Sequence, residues 1–136
     1  MYAKLKYFLP IMLATVLVGG CSWFPFFSSD SPQTPQVFTD LPVPPELKVN
    51  ESDSQVYEGT GGRVGRLKAS GRISSVAVIQ YYRETLPQNG WTREGEFDGE
   101  DRYMMVFTKK PRSAAISITA GWVYTDVEIN VSAKQN

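Results

Sequence analysis

Proline is concentrated in one part of the chain, and this restricts where a domain can fold. Six of the nine prolines lie between residues 22 and 54 of the 136-residue chain. Proline lacks a backbone N–H and interrupts helices and central strands, so this stretch cannot sustain a long regular element. We therefore expect one small domain of about 80 to 95 residues beyond it, which is enough to fold alone.

The residues that precede the prolines have the three parts of a secretory signal. Lys4 and Lys6 form a short positive region, and residues 7–18 are mainly apolar. Two glycines then lead into Cys21. An apolar run of about 12 residues is too short to span a bilayer as a permanent helix. The pattern therefore predicts a leader that is cleaved from the mature protein.

The segment Leu17-Val18-Gly19-Gly20-Cys21 resembles the lipobox of bacterial lipoprotein precursors. The resemblance implies cleavage between Gly20 and Cys21, a diacylglyceryl group on the cysteine sulfur, and palmitate-like acyl chains. In enterobacterial members an aspartate after the cysteine retains the protein in the inner membrane, whereas Ser22 stands here. The resemblance therefore implies a cell-envelope protein anchored to the outer membrane and facing the periplasm. A secreted or membrane-inserted protein with an incidental cysteine is the alternative.

Three segments follow from these patterns. Residues 1–20 are predicted to be a signal peptide, residues 21–37 a lipidated N-terminus with a Pro/Ser-rich linker, and residues 38–134 the domain. Aromatic residues directly after Cys21 are expected at the membrane interface, with a partner-binding patch as the alternative. Apolar residues become frequent in the second half of the proline-rich stretch, so we expect that half to pack against the domain.

The domain alternates between strand patterns and one helix pattern. A helix is predicted from Ser74 or Ser75 to Leu86, because serine caps the start and Pro87 stops the end. Two strand patterns precede the helix and four follow it. The order ββαββββ predicts an α+β two-layer sandwich, with an antiparallel sheet of about five to six strands and the helix on one face.

The end of this helix pattern carries a second, local resemblance. The run Val78…Tyr82-Arg83…Leu86-Pro87…Gly90-Trp91 is similar to small domains of unknown function in other exported lipoproteins. In those domains a helix that ends in an aromatic–Arg pair leads through a short turn to Gly-Trp and a strand. The resemblance implies the same fold and carries no activity.

The composition excludes several kinds of chemistry. The chain has no histidine and a single cysteine, so it lacks a Ser–His pair, the commonest metal ligand and any internal disulfide. Without Lys4 and Lys6, 12 basic side chains stand against 14 acidic ones. This balance provides no basic field for nucleic acid. We therefore expect a non-catalytic protein with no cofactor, no metal and no nucleic-acid partner.

Three local clusters allow a functional and a structural interpretation. The glycine-rich segment 58–65 could cradle phosphate, but it lacks the P-loop pattern and favours a hairpin turn. The acidic residues of 94–101 could bind calcium, but they lack its ligand spacing and favour a solvated turn, with Glu94 and Glu96 on one strand face. Seven basic residues could form one patch or a soluble strand face, and the strand face is favoured. These residues are Arg63, Arg66, Lys68, Arg72, Lys109, Lys110 and Arg112.

Two functions are favoured at this point, and an enzyme is a third, disfavoured alternative because the usual acid/base residues are missing. The first is a membrane-anchored envelope lipoprotein whose domain supports or binds an envelope protein, peptidoglycan or lipid. The second is a small-ligand or lipid-binding module with an apolar pocket between helix and sheet. The expected lining of that pocket is Tyr82, Met104, Met105 and Phe107, although such side chains more often fill a core.

Overall fold

The computed structural model describes residues 38–59 and 61–133. The predicted signal peptide, the cleavage site between Gly20 and Cys21, and the linker to residue 37 lie outside the described residues. One helix and seven strands follow one another in the described part: β1 (Lys48–Val49), β2 (Gln55–Gly59), β3 (Gly62–Gly71), α1 (Ser75–Gln88), β4 (Thr92–Asp98), β5 (Arg102–Lys109), β6 (Arg112–Ala120) and β7 (Thr125–Ala133).

All strand pairs form one open antiparallel sheet. The strand order is β1-β3-β7-β6-β5-β4, and β2 also pairs with β3. The mixed α/β class with a single helix and an antiparallel sheet is therefore confirmed. The predicted order ββαββββ lacked one strand, because two residues of the proline-rich stretch pair with β3, Lys48 opposite Ser70 and Val49 opposite Ala69.

Helix α1 begins where the sequence predicts and ends later. The Ser74 side chain accepts a hydrogen bond from the Ala77 backbone N–H at 3.1 Å, which is an N-cap. The helix continues through Pro87 to Gln88, two residues beyond the predicted end at Leu86. A proline in the last turn removes one backbone hydrogen bond, and its fixed φ still suits the helix.

The core joins the helix, the sheet and the N-terminal strap, by which we mean residues 38–49. Phe38, Leu41 and Leu47 of the strap are each 1% exposed. They belong to the same buried cluster as the inward-facing residues of α1 and the strands. A Cβ on Gly71 would lie 2.1 Å from the Glu46 carbonyl oxygen, so the strap runs closer to β3 than a side chain there allows. The second half of the proline-rich stretch packs on the domain, as predicted.

The two faces of the sheet differ in composition. On β6, Ala114, Ile116 and Ile118 are buried in the core, and the residues between them are half-buried serine, alanine and threonine. We call these the core face and the second face. Within residues 38–59 and 61–133, no helix is both long and apolar enough to cross a bilayer.

The two ends of the sheet also differ. At the open end lie the start of α1, the β4–β5 turn and the β6–β7 turn. At the clamped end lie the end of α1 and the β2–β3 and β5–β6 turns, together with Asp40 of the strap. The candidate sites described below are assigned to one end or the other by this register.

Candidate functional site

A groove of about 390 Å³ lies at the open end, between the first half of α1 and the sheet. Its apolar lining comes from the helix and from two neighbouring strands: Val76, Ile79, Tyr103, Ile118 and Ala120. Its rim includes the β4–β5 turn, with Asp98, Glu100 and Asp101, and Arg102 beyond it. The volume falls within the usual range for small-molecule sites, about 300–1,000 Å³.

The groove exists because side-chain size and burial change along β6 and α1. The buried helix residues are Val78, Tyr82 and Leu86, and Val76 near the start is 72% exposed. On β6 the inward-facing positions end in the small side chain of Ala120, beyond the buried Ile118. The helix start therefore leaves a space above the end of the strand, and apolar groups line that space.

An ion network borders the groove on the helix side. Arg83 of α1 donates two hydrogen bonds to the Glu96 carboxylate of β4, at 3.0 and 2.8 Å. The Tyr103 hydroxyl and Arg93 also donate to Glu96. Hydrogen bonds from Arg83 and then from Tyr103 lower the pKa of Glu96 to about 2. The carboxylate therefore stays ionised near neutral pH and holds Arg83 against the sheet, so the charge of Arg83 is compensated.

The clamped end contains a partly buried ion cluster on Asp40. Arg112, which is 8% exposed, donates to both Asp40 carboxylate oxygens and to the Arg63 backbone carbonyl. The Lys109 ammonium lies 2.8 Å from the same carboxylate. Burial alone would raise the pKa of Asp40, but hydrogen bonds from Arg112 and Lys109 outweigh it and hold that pKa below its ordinary value.

Trp91 completes the clamped end and ties it to the strap. Its indole N–H donates to the Asp40 backbone carbonyl at 2.8 Å, and the Arg112 guanidinium lies 5.2 Å from its ring centroid. Trp91 also lies at the end of α1, because its backbone N–H donates to the Leu86 carbonyl at 3.1 Å. Lys109 and Arg112 both bind Asp40 and so connect the strap to the sheet, which gives this cluster a structural role.

The second face carries a polar cleft of about 380 Å³ beside the loop that follows β1. Lys68 and Arg102 line it together with Asp53, Asp126 and Glu128, so its charges are mixed. Hydroxyl groups of Ser70, Ser117 and Thr119 complete the lining. In the part of the chain that the structure describes, no three side chains are grouped as they would be around a metal ion.

The glycine-rich segment forms a hairpin, as its favoured interpretation predicts. Residues 59 and 62 pair across the turn, and Gly61 and Gly62 have φ of +88° and +124°, which other residues rarely adopt. Strand β3 follows, where a phosphate cradle would need a helix. The Arg63 guanidinium lies 2.8 Å from the Glu58 carboxylate across the hairpin.

The acidic residues of 94–101 separate into different environments. The register of β4 shifts between Arg93 and Gly95, which makes Glu94 the extra residue of a bulge. Glu94 accepts a hydrogen bond from the Thr108 hydroxyl, whereas Glu96 binds Arg83 of the helix. The prediction that Glu94 and Glu96 share one face is therefore wrong, because the bulge breaks the alternation.

The basic residues do not form one continuous patch. Arg63 pairs with Glu58, Arg66 lies 3.7 Å from Glu128, and Lys109 and Arg112 share Asp40. Arg72 lies over the ring of Tyr124 at the open end. Each cation named here contacts an acidic or aromatic partner, which fits the favoured interpretation of a soluble strand face.

The pocket lining predicted from sequence fills the core instead. Tyr82, Met105 and Phe107 are 0% exposed, and Met104 is half-buried on the second face. The Tyr82 hydroxyl has no hydrogen-bond partner among the described residues, and burial raises the pKa of this tyrosine. The groove lies nearer the helix start, and its residues were missed. The available signal was Val76, an apolar residue near the helix start that does not belong to the buried set Val78, Tyr82 and Leu86.

Comparison with known proteins gives one match. A family model described as START domain-like, of unknown function, matches residues 53–135, more than half of the chain. The match is consistent with the resemblance to small domains of unknown function. No curated protein and no solved structure matches the chain.

Proposed function

The chain belongs to the START domain-like family, and we propose that its domain is a ligand-binding module held at the bacterial cell envelope by a lipid anchor on Cys21. The single observation that carries the ligand-binding part is the groove of about 390 Å³ between α1 and the sheet. Family membership supports the same conclusion. The sequence supports the anchor, since the lipobox-like segment ends at Cys21.

The lining of the groove suits an amphipathic ligand with an acyl chain. Val76, Ile79 and Ile118 offer an apolar floor, and the charged groups of the β4–β5 turn stand at the rim. Burying apolar ligand surface on the floor is favourable at roughly 25 cal/mol per Å². The rim leaves a polar headgroup in water. We therefore propose a lipid, or a molecule with one lipid-like chain, as the ligand.

The packing of α1 is part of this proposal. Val78, Tyr82 and Leu86 of the helix share one buried cluster with Met105 and Ile116 of the sheet. We infer that the helix lies across the core face and closes one side of the groove. The module needs no catalytic step, in keeping with a chain that has no histidine.

The ligand proposal is tested by mapping where a lipid probe contacts the protein. Full-length protein in phosphatidylcholine vesicles is irradiated with a stearate that carries a photoactivatable diazirine. Trypsin cuts after Arg72 and Arg83, so residues 73–83 of the groove are recovered as one peptide. We expect adducts on this peptide, and Ala120→Trp, which fills the groove, should reduce them about tenfold, equivalent to about 1.4 kcal/mol.

The matched control places the same side chain at the other end of the sheet. Ala133 is exposed at the end of β7, so Ala133→Trp should leave the adducts on residues 73–83 unchanged. Adducts that persist in Ala120→Trp would overturn the groove as the binding site. Equal labelling of peptides from both ends of the sheet would overturn specific binding.

The anchor is tested separately by intact mass and membrane fractionation beside Cys21→Ala. The wild-type protein should lose residues 1–20, gain diacylglyceryl mass and remain with the membrane, and the variant should not. Identical behaviour of the two proteins would overturn the anchor and leave the groove proposal standing.

A supporting role in the envelope is the second candidate function. The observation that favours it is the polar cleft on the second face, whose hydroxyl and charged groups suit a polar partner such as peptidoglycan. Co-sedimentation of the full-length protein with purified peptidoglycan tests this role. Ser117→Trp, which blocks the cleft, should abolish sedimentation, and Ala133→Trp should not.

A further inference from the structure

The β6–β7 turn exposes three large apolar side chains, which we call the aromatic tip. Trp122 is fully exposed, and Val123 and Tyr124 are 58% and 49% exposed. Large apolar groups clustered at one point of a surface mark an interaction site more often than single ones do. The tip contributes nothing to the buried core cluster, so packing within the described residues does not explain it.

The tip is held in place by the strands that carry it. The Gly121 backbone N–H bonds the Tyr124 carbonyl at 2.9 Å and closes the turn. The Thr125 hydroxyl donates to the Ile73 carbonyl in the connection between β3 and α1. The Arg72 guanidinium lies 5.5 Å from the centroid of the Tyr124 ring. The exposed side chains therefore extend from an ordered hairpin.

The tip stands beside the mouth of the groove. Ala120, which lines the groove, is two residues before Trp122 on the same hairpin. Val76 lines the groove from the helix and is itself 72% exposed. The open end of the domain thus combines a protruding aromatic surface with an apolar entrance.

We propose that the aromatic tip enters the headgroup interface of a zwitterionic bilayer and brings the groove mouth to that surface. Tryptophan and tyrosine favour this interface because their rings are apolar and each carries one polar group. The charges at the open end fit a zwitterionic surface better than an anionic one. Asp98, Glu100 and Asp101 stand there against Arg72 and Arg102, so positive charge is not in excess.

Chain length permits this contact, provided that the proposed anchor on Cys21 exists. Sixteen residues separate Cys21 from Phe38, where the buried strap begins. Fully extended, they reach at most about 60 Å. The anchor would thus keep the domain close to one bilayer and raise the effective concentration of the tip at its surface. A weak interfacial contact is then sufficient.

The test uses a fluorescent label on the tip of the full-length protein in phosphatidylcholine vesicles. Cys21 is the only cysteine of the chain, so Val123→Cys introduces one new thiol for a nitrobenzoxadiazole label. Ser132→Cys, exposed near the other end of β7, is the matched control. Protein without either substitution, labelled in parallel, measures any label attached to Cys21.

We expect blue-shifted emission at position 123 and quenching by brominated phosphatidylcholine, with water-like emission at position 132. Trp122→Ser should return the label at position 123 toward water-like emission. Water-like emission at both positions would overturn the proposal. Blue-shifted emission that brominated lipid does not quench would assign the tip to a second copy of the chain, or to its own residues 1–37, and would also overturn it. Flotation with the vesicles reports separately on the anchor.

Discussion

The clamped end and the open end of the sheet differ in the side chains that they contain and in how far those side chains are buried. At the clamped end, the buried guanidinium of Arg112 is held by Asp40 and covered by Trp91, and the strap is fastened there. At the open end, Trp122 and Val76 are exposed beside a groove. The strap is held at one end of the sheet, and the surface proposed to bind ligand and bilayer lies at the other end. Substitutions can therefore separate stability from binding.

The largest expected effect is at Asp40. Asp40→Ala leaves Arg112 buried without its carboxylate, and breaking a buried pair in this way costs about 3–5 kcal/mol. The free energy of unfolding should fall by that amount in urea denaturation. Asp98→Ala, at the open end, removes an exposed carboxylate and should change it by about 0.5 kcal/mol or less. Similar losses in both variants would contradict the contrast between the ends.

A smaller effect of opposite sign is expected at Tyr82, in the core between the two ends. Its hydroxyl is buried without a partner among the described residues, so Tyr82→Phe should raise the free energy of unfolding by about 1 kcal/mol. Tyr103→Phe serves as the control, because its hydroxyl binds Glu96 and its loss should be destabilising. Destabilisation by Tyr82→Phe would show that the hydroxyl has a bonding partner.

The stability of the fold should depend modestly on pH through Glu96, whose ion network borders the groove at the open end. Because its folded pKa is about 2, below the ordinary 4.5, its ion pair stabilises the fold fully above pH 4.5. That contribution is lost as the pH falls from 4.5 towards 2. Arg83 is exposed, so the loss should be a small fraction of the Asp40→Ala effect and should weaken further in salt.

Thermal unfolding between pH 5 and pH 2.5 measures this dependence. Glu96→Gln should flatten the fall in Tm over that range, and the remaining fall should include Asp40, whose pKa is also lowered. An unchanged pH profile in Glu96→Gln would show that the network at the groove does not stabilise the fold.

The smallest effect on stability is expected at Trp122. Trp122→Phe alters a fully exposed side chain and should leave the free energy of unfolding within about 0.5 kcal/mol. Trp91→Phe makes the same chemical change at the clamped end. It removes the N–H that binds the Asp40 carbonyl and also leaves a cavity in the core, so urea denaturation should show a loss of more than about 1 kcal/mol. Equal effects would contradict the structural difference between the two tryptophans.

Sequence patterns predicted the parts of the fold that depend on local chemistry. Ser74 caps α1, and the glycines after Gly59 form the turn of a hairpin, because both features depend on neighbouring residues. Strand β1 was missed, because a two-residue strand has no period and forms only by pairing with β3. The bulge at Glu94 was missed for a similar reason, since the register of β4 is set by β5.

The candidate site could be predicted from the sequence less well than the fold. Side chains such as those of Tyr82, Met105 and Phe107 can either line a pocket or fill a core. Only their packing in the folded domain shows that they belong to the core. The groove depends on which apolar residues of α1 are buried, and the sequence alone does not show that Val78 is buried whereas Val76 is exposed. Likewise, Asp40 and Arg112 are 72 residues apart in sequence, so their pairing could be seen only in the fold.

The position of the strap determines how the domain bears mechanical load. A pull on the N-terminal side of the chain reaches Phe38 first and then Asp40, before it reaches the β1–β3 pairing at residues 48 and 49. The force therefore acts first on the buried ring of Phe38 and on the Asp40 ion cluster, and it reaches the strands of the sheet only after these contacts have broken. We therefore expect the contacts of Phe38 and Asp40 to break before the β1–β3 pairing when the strap is pulled away from the sheet.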